Sequence, residues 1–166
     1  MISPKVQDTI NNQINAELYS AYLYCAMAAY FQDQNLPGFA QWMKVQSSEE
    51  VTHADKFFDY LNERGGRVKL AAIDAPPAEW DSPLAAFQAA YEHETKVTGM
   101  INAMMDVAVS ESDHATASFL KWYVDEQVEE EASAEEVVQK LKRIQDAPGG
   151  LFMMDRELGA RQPGGA

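Results

Sequence analysis

Residues 37–66, PGFAQWMKVQSSEEVTHADKFFDYLNERGG, decide the fold of this 166-residue chain. A Pro-Gly pair opens the stretch and a Gly-Gly pair closes it, as expected for a long helix with breakers at both ends. Side chains spaced alternately by three and four residues form one face of such a helix. That face reads Phe39, Met43, Gln46, Glu50, His53, Phe57 and Tyr60. It is apolar at both ends and polar in the middle.

Three further segments have the same character. Ser3-Pro4 and Ser82-Pro83 each look like an N-cap followed by proline in the first turn. We predict helix A at 4–34, B at 37–64, C at 82–111 and D at 114–146, then a short helix E at 150–159 and a loose tail at 160–166. The predicted inward faces are Ile10, Ile14, Glu17, Ala21, Tyr24, Ala28 and Phe31 in A; Leu84, Phe87, Tyr91, Glu94, Thr98, Ile101 and Met105 in C; and Leu120, Tyr123, Gln127, Glu130, Ala134, Val137 and Leu141 in D.

The lengths of the connections predict the topology. The A–B and C–D breaks are short, so each pair should form an antiparallel hairpin. Residues 65–81 can stretch roughly 56 Å, whereas helix B is roughly 42 Å long. This connection can therefore run back along the whole bundle and start helix C parallel to B. The sequence predicts one all-α domain over 1–166, an antiparallel four-helix bundle with one long crossover.

Composition excludes several classes of function. The net charge of −13 argues against a nucleic-acid partner and suits a protein that attracts cations. Cys25 is the only cysteine, so no intrachain disulfide forms, and we expect it to be buried and inert in a reducing compartment. The first ten residues lack an apolar signal region, and no stretch approaches 18 uninterrupted apolar residues. We therefore expect a cytoplasmic protein without a membrane partner.

Carboxylates interrupt the predicted apolar faces at one depth of the bundle. Glu17, Glu50, Glu94 and Glu130 come from four different helices, and the same faces contain no Lys or Arg. Burying an unpaired carboxylate is strongly unfavourable. Two divalent metal ions would supply four positive charges against these four negative ones. The pattern therefore predicts a pair of metal ions inside the bundle.

The two hairpins also repeat one another at a shift of 77 residues. The shift superimposes Glu17 on Glu94, Glu49 on Glu126, Glu50 on Gln127 and His53 on Glu130. Glu50-x-x-His53 places two ligands on one helical face, and Gln127-x-x-Glu130 is its counterpart. Two similar hairpins predict a metal site with two similar halves.

Four motifs carry a resemblance to a known family: NQINAELYS at 12–20, EEVTH at 49–53, FLKWYVDEQVEEE at 119–131 and GLFMMDREL at 150–158. With them the chain resembles the ferritins, most closely the bacterial non-haem ferritins. The resemblance implies a ferritin-like fold and a homo-oligomer, a 24-mer cage. It also implies iron storage, with ferroxidase oxidation of Fe(II) by O₂ or H₂O₂ at a di-iron centre. No haem is expected, because Thr52 stands where we would seek the haem-binding methionine of bacterioferritins.

The resemblance also assigns residues to iron. It implies that Glu17, Glu50 and His53 hold the first iron, that Glu94 and Glu130 hold the second, and that Glu50 bridges the two. Gln127 would lie beside the pair, and Tyr24 would be an electron donor, with Trp122 a weaker candidate. A third iron site is implied at Glu49, Glu126, Glu129 and Glu130.

Simpler interpretations remain open for some of these residues. Glu49, Glu126 and Glu129 also fit a solvated acidic face, and Tyr24 fits an ordinary core aromatic. His93 and His114 are expected at the surface. Two other functions also remain open: a different di-iron enzyme on the same bundle, and a non-enzymatic scaffold holding Zn(II) or Mn(II). The chain has no CxxC pair, which argues against a rubrerythrin with its own rubredoxin domain.

Overall fold

The computed structural model describes residues 2–164, and over these residues the chain forms five helices and no strand. The helices are α1 (Pro4–Asp33), α2 (Pro37–Glu63), α3 (Pro83–Ser110), α4 (His114–Ile144) and α5 (Gly150–Leu158). The all-α fold class, with four long helices and a short fifth, is confirmed. Residue 1 of the expected domain and residues 165–166 of the expected tail lie outside the described residues.

Three long helices begin at a side chain that accepts from their own first turn. Ser3 accepts from the Val6 amide at 3.3 Å, and Ser82 accepts from the Ala85 amide at 3.0 Å. The Asp113 carboxylate caps α4 in the same way, through the Thr116 amide at 3.1 Å. Such caps satisfy amides that have no partner inside the helix. Local sequence therefore fixes where α1, α3 and α4 start.

The ends of the first three helices share a left-handed residue. Asn35, Gly65 and Ser112 have φ of 56°, 71° and 55°. After each of them an amide donates back to a carbonyl five residues earlier: Leu36 to Phe31, Gly66 to Leu61 and Asp113 to Ala108, all at 2.9 Å. This is the Schellman pattern of helix C-termini. Two of the three positions are not glycine, so the positions of glycine in the sequence predict only one of these three helix ends.

Side-chain pairs define the directions of the helices. Phe31 packs on Phe87, and Tyr24 donates a hydrogen bond to Glu94, so α1 and α3 run antiparallel. Since α1 and α2 form an antiparallel hairpin, α3 runs parallel to α2, as the crossover requires. Within residues 2–164, backbone proximity joins α1 to α2, α3 to α4 and α1 to α3, whereas α2 and α4 meet through side chains. A gap therefore separates the α2 and α4 backbones.

The crossover between α2 and α3 is held along α1 by three amide side chains, one per turn. Gln7 accepts from the Arg67 amide at 2.8 Å, and Asn11 accepts from the Lys69 amide at 2.7 Å. Asn11 also donates to the Arg67 carbonyl at 3.0 Å, and Asn15 donates to the Ala72 carbonyl at 3.1 Å. These residues replace the hydrogen bonds that a neighbouring strand would supply.

The core consists of two apolar clusters, one toward each end of the bundle. One is built around Phe31, Phe39, Trp42, Phe87 and Leu141, and the other around Ile10, Phe57, Ile101, Leu120 and Tyr123. The polar positions of the predicted faces lie between them. The bundle thus holds its buried carboxylates between two apolar layers.

Two sequence expectations about burial are wrong. In α3 the fully buried positions include Ala90, Val97 and Met104, whereas Tyr91, Thr98 and Met105 are half-buried. Both sets have the same spacing, and the wholly apolar set, with Ala90 in place of the bulky Tyr91, faces the neighbouring helices. Cys25 is exposed, because it falls one position outside the inward face of α1. Among residues 2–164, no helix has the length and apolar character that a membrane crossing needs.

Helix α5 closes the end of the bundle where α2 begins. Its Asp155 carboxylate accepts from the Gly38 and Phe39 amides at 2.7 and 3.2 Å, which supplies the N-cap that α2 lacks. A Cβ at Gly38 would lie 1.6 Å from the Asp155 carbonyl oxygen. Only glycine allows this approach, so Gly38 fixes where α5 docks.

Candidate metal centre

Four acids, one from each long helix, lie buried at the level between the two apolar clusters. Glu17 and Glu94 are 1% exposed, Glu50 is 2% exposed and Glu130 is 6% exposed. Each acid occupies an inward position of its helix, so it is buried together with the apolar residues of the same face. Within residues 2–164, neither Lys nor Arg forms an ion pair with any of the four.

The first half of the site joins α1 and α2. Glu17, Glu50 and His53 each place one ligand atom within 4.8 Å of the other two. His53 Nδ1 lies 3.4 Å from Glu50 Oε2. Glu17 Oε2 is buried and has no hydrogen-bond partner in the part of the chain that the structure describes. A buried carboxylate oxygen without a donor is costly, so this oxygen has the surroundings of a metal ligand.

The second half joins α3 and α4. Glu94 accepts a hydrogen bond from the Tyr24 hydroxyl, and Gln127 Nε2 lies 3.2 Å from both the Glu94 carboxylate and its carbonyl oxygen. Gln127 and Tyr24 therefore orient Glu94, and both are buried. Among the described residues, Glu94 is not part of a compact three-ligand cluster, because its carboxylate faces Tyr24 and Gln127.

A second cluster lies on the outer side of His53. His53, Glu126 and Glu130 also place ligand atoms within 4.8 Å of one another, with His53 Nε2 3.8 Å from Glu126 Oε1. The two ring nitrogens of His53 thus face two different carboxylate groups. Histidine connects the inner site to the outer one.

These three residues border a cavity of about 330 Å³ in the gap between α2 and α4. The predicted third-site residues Glu49, Glu126 and Glu129 line it together with Glu130. Their positions differ: Glu126 reaches His53, Glu129 is exposed, and Glu49 bonds to Arg161 at 2.6 Å. The structure therefore brings Glu126 and Glu130 to the metal centre and holds Glu49 at the rim.

Burial and mutual repulsion raise the pKa of every inner acid. Burial is the largest cause for Glu17 and Glu50, and the charges of neighbouring acids add to it. The pKa of Glu94 is raised by burial, although hydrogen bonds from Tyr24 and Gln127 oppose the rise. Burial and the charge of Glu94 raise the pKa of Glu130 to about 7. Without a cation, these raised pKa values favour the protonated carboxyl groups; a divalent cation favours the ionised ones.

Two buried glutamines outside the predicted ligand set also belong to the site. Gln13 Nε2 donates to Glu17 at 2.9 Å. Gln46 Nε2 donates to Glu50 at 3.1 Å and to Glu130 at 2.6 Å, linking the acids of α2 and α4. Each glutamine lies one helical turn before a glutamate on the same face. That i, i+4 spacing was the signal available in the sequence.

Aromatic residues surround the centre on both sides. Tyr24 is 1% exposed, and burial raises its pKa well above the ordinary value. His93 is not the surface residue that the sequence suggested: it bonds to Ser20 at 2.7 Å, and burial lowers its pKa to about 4. The Trp122 ring lies 5.4 Å from the His53 ring. His114 is exposed, as expected.

Together the bundle and the site define a class of protein. Carboxylate oxygens and one imidazole, projected inward from all four helices of a one-crossover bundle, form the ligand set of di-metal carboxylate proteins. Such ligands suit Fe(II), Mn(II) and related divalent ions and leave coordination positions open. Among described residues the centre contains no thiolate, since the single cysteine is exposed elsewhere.

Comparison with known proteins identifies the family. Residues 7–144 match the ferritin-like domain family. A bacterial non-heme ferritin of Bacteroides fragilis is 47% identical over 161 residues, covering 97% of this chain and all of the relative. One from Staphylococcus saprophyticus is 40% identical, covering 97% of this chain and 96% of the relative. An open-pore ferritin structure from Archaeoglobus fulgidus is 55% identical, covers 98% of this chain and 100% of that chain, and has a TM-score of 0.97.

The chain belongs to the ferritin family, in the branch of the non-haem bacterial ferritins, and its function is iron storage. The family predicted from the four sequence motifs is confirmed.

Proposed function

We propose that each subunit oxidises Fe(II) to Fe(III) at two adjacent iron sites within its own bundle, and that the product is stored inside a homo-oligomeric shell. One observation carries this proposal. Four acids from four helices lie buried at one depth, and within the described residues none is paired with Lys or Arg. Fe(II) as substrate supplies the missing positive charge.

The contacts support a specific assignment of ligands to the two iron sites. Glu17, Glu50 and His53 hold the first iron, and Glu94 and Glu130 hold the second, with Glu50 between them. The burial of Glu50 beside Glu17 and the effect of Glu94 and Glu130 on its pKa support this central position. The first iron then has a nitrogen ligand and the second has only oxygens. We expect the second iron to bind more weakly.

The chemistry requires two electrons, and each Fe(II) supplies one. With O₂, two Fe(II) ions and two protons give two Fe(III) ions and H₂O₂; with H₂O₂, two Fe(II) ions give two Fe(III) ions and two hydroxides. The protein's part is to hold the ions together and to exclude competing reactions. Reducing the H₂O₂ further to two waters takes two more electrons and two protons; we propose that a third Fe(II) supplies one electron and that Tyr24, whose hydroxyl donates a hydrogen bond to Glu94, supplies the other, with Trp122 as a weaker candidate.

Storage requires an assembly, and we propose the 24-mer cage that the family resemblance implies. A net charge of −13 per chain gives such a shell a strongly negative field, which draws in Fe(II). We also propose a third iron site at Glu49, Glu126, Glu129 and Glu130, no haem, and a cytoplasmic location, to which the lone exposed cysteine is suited.

The test is anaerobic loading of metal-free protein with two Fe(II) per subunit, followed by air. The expected result is rapid O₂ consumption and further iron uptake well beyond two ions per subunit. Glu50→Ala removes the bridging carboxylate and should slow oxidation by at least about tenfold. Glu63→Ala, an exposed glutamate on the same helix, is the matched control. Inert binding without O₂ consumption, or rapid oxidation by Glu50→Ala, contradicts the proposal.

A further inference from the structure

The chain after α5 returns to the metal centre. Residues 161–164 lie across the gap between α2 and α4 and form one wall of the outer cavity. The opposite walls carry the acids of the outer cluster, which we define as Glu49, Glu126, Glu129 and Glu130. The tail therefore borders the space that a cation bound to these acids would occupy.

Arg161 and Gly164 occupy both oxygens of one acid in this cluster. Arg161 Nη2 lies 2.6 Å from Glu49 Oε2, and the Gly164 amide donates to Glu49 Oε1 at 3.3 Å. The Arg161 guanidinium also stacks 4.2 Å from the centroid of the Trp42 ring. Among residues 2–164, its Nη1 is buried without a hydrogen-bond partner. The guanidinium is thus held in place, with one nitrogen left free.

The docking of α5 fixes this position. Asp155 bonds to the start of α2, and Gly159 approaches Gly38 so closely that a Cβ at Gly159 would lie 3.2 Å from the Gly38 Cα. Leu158, just before the tail, is buried in the apolar cluster. Arg161 follows these anchors by a few residues, so its reach to Glu49 does not depend on a loose segment.

We propose that Arg161 is the resident cation of the outer cluster and competes with a metal ion for Glu49. The inference rests on the proposed function, because it concerns the third of the proposed iron sites. A divalent ion that uses Glu49 must displace both the guanidinium and the Gly164 amide. Arg161 therefore weakens the outer site relative to the inner pair, and filling the outer site releases the tail.

A second cation in the same cavity provides a comparison. Lys56 lines the cavity with its ammonium 3.2 Å from the Trp122 ring centroid, and within residues 2–164 it forms no ion pair with the outer acids. Lys56→Gln removes one positive charge from the cavity and leaves the Arg161–Glu49 pair intact. Arg156→Gln removes a charge from the exposed face of α5. The two variants separate competition for Glu49 from a general change in charge.

The experiment is titration of metal-free protein with Zn(II), a redox-inert probe, by calorimetry. We expect two tight sites per subunit and one weaker site in the wild type. Arg161→Gln should tighten the weaker site about tenfold, since a charge-assisted hydrogen bond no longer competes. The Zn(II) affinity of the weaker site in Arg161→Lys should lie between those of the wild type and Arg161→Gln. The affinity in Arg156→Gln should match the wild type. Sedimentation checks that each variant assembles like the wild type.

A second measurement follows the tail itself. Hydrogen exchange of the peptide that contains Gly164 should accelerate when wild-type protein takes up its third Zn(II), because the amide then loses Glu49. In Arg161→Gln the same peptide should already exchange rapidly without metal. Protection that does not respond to the third Zn(II) contradicts release of the tail.

Different failures have different meanings. Wild-type protein that binds no Zn(II) at the inner pair contradicts the proposed function, whatever Arg161 does. Intact inner binding with an unchanged or weakened outer site in Arg161→Gln overturns the role of Arg161 and leaves the proposed function standing. Equal tightening by Lys56→Gln and Arg161→Gln also overturns it, because charge alone would then account for the effect.

Discussion

Glu130→Gln should make the metal-free protein more stable at pH 8 than the wild type, with a much smaller difference at pH 5. Burial and Glu94 raise the pKa of Glu130 from 4.5 to about 7. Below pH 4.5 the carboxyl is protonated in both the folded and the unfolded chain. As the pH rises toward 7, the unfolded chain releases its proton first, so ionisation favours unfolding. Stability from this group is therefore lost between pH 4.5 and 7.

The size of the effect follows from the difference between the two pKa values. Each unit corresponds to about 1.4 kcal/mol, so the wild type loses about 2–3 kcal/mol between pH 5 and pH 8 through Glu130. Glutamine has no proton to lose and can still accept from Gln46. At this chain length, about 2–3 kcal/mol corresponds to roughly 4–12 °C in Tm. The variant should melt higher than the wild type by this amount at pH 8.

The assay is thermal unfolding of chelator-treated protein, followed by circular dichroism, at steps from pH 5 to pH 8. Glu135→Gln removes an exposed carboxylate from the same helix and should follow the wild-type curve. With Zn(II) added at pH 8 the order should change, since the wild type gains a complete site and Glu130→Gln does not. Parallel pH profiles for wild type and Glu130→Gln would refute the reasoning, because Glu130 would then ionise as an ordinary exposed acid.

Three further predictions test other parts of the structure. Gly38→Ala places a Cβ against the Asp155 carbonyl, so α5 should undock, and limited proteolysis should then cut near α5 while the four-helix core survives. Asn11→Ala removes hydrogen bonds from the crossover and should cost about 1 kcal/mol, with faster hydrogen exchange at the amide of residue 69 as the measurement. Tyr24→Phe removes the donor to Glu94, which should raise the Glu94 pKa further and weaken Zn(II) binding at the second inner site by about tenfold in calorimetry.

The fold could be predicted because its determinants are local or periodic. The spacing of three and four residues in 37–66 already identifies a long helix with one buried face. The length of the connection at 65–81 then selects one topology. The acids were predictable for the same reason: a residue at an inward position is buried whatever its chemistry. Glu17, Glu50, Glu94 and Glu130 therefore stand out from the other acids of the chain.

What the sequence could not show depends on contacts between distant residues. Gly38 and Asp155 are 117 residues apart, and Glu49 and Arg161 are 112 apart. The helical repeat does not predict contacts between residues so far apart in the sequence. An aspartate that caps its own helix cannot be distinguished in the sequence from one that caps another helix. The face of α3 was ambiguous for a different reason. Tyr91 and Ala90 both continue the spacing, and only the packing against α1 and α4 selects the smaller residue.

The two carboxylate groups on either side of His53 balance their negative charge by different means. Burial and mutual repulsion raise the pKa values of the inner acids, and no Lys or Arg of residues 2–164 pairs with them, so metal uptake there should release protons and strengthen as the pH rises. Among the outer acids, Glu49 pairs with Arg161, a cation that keeps its charge at any working pH. Metal uptake there must displace this charged group, so it depends on ionic strength as well as on the proton of Glu130, which both groups share. His53 contacts both groups. An ion that moves from the cavity to the inner pair leaves a site where it competes with a guanidinium and enters one where it competes with protons. This difference favours the inner pair increasingly as the pH rises, because the raised pKa values of the inner acids favour their protonated forms in acid.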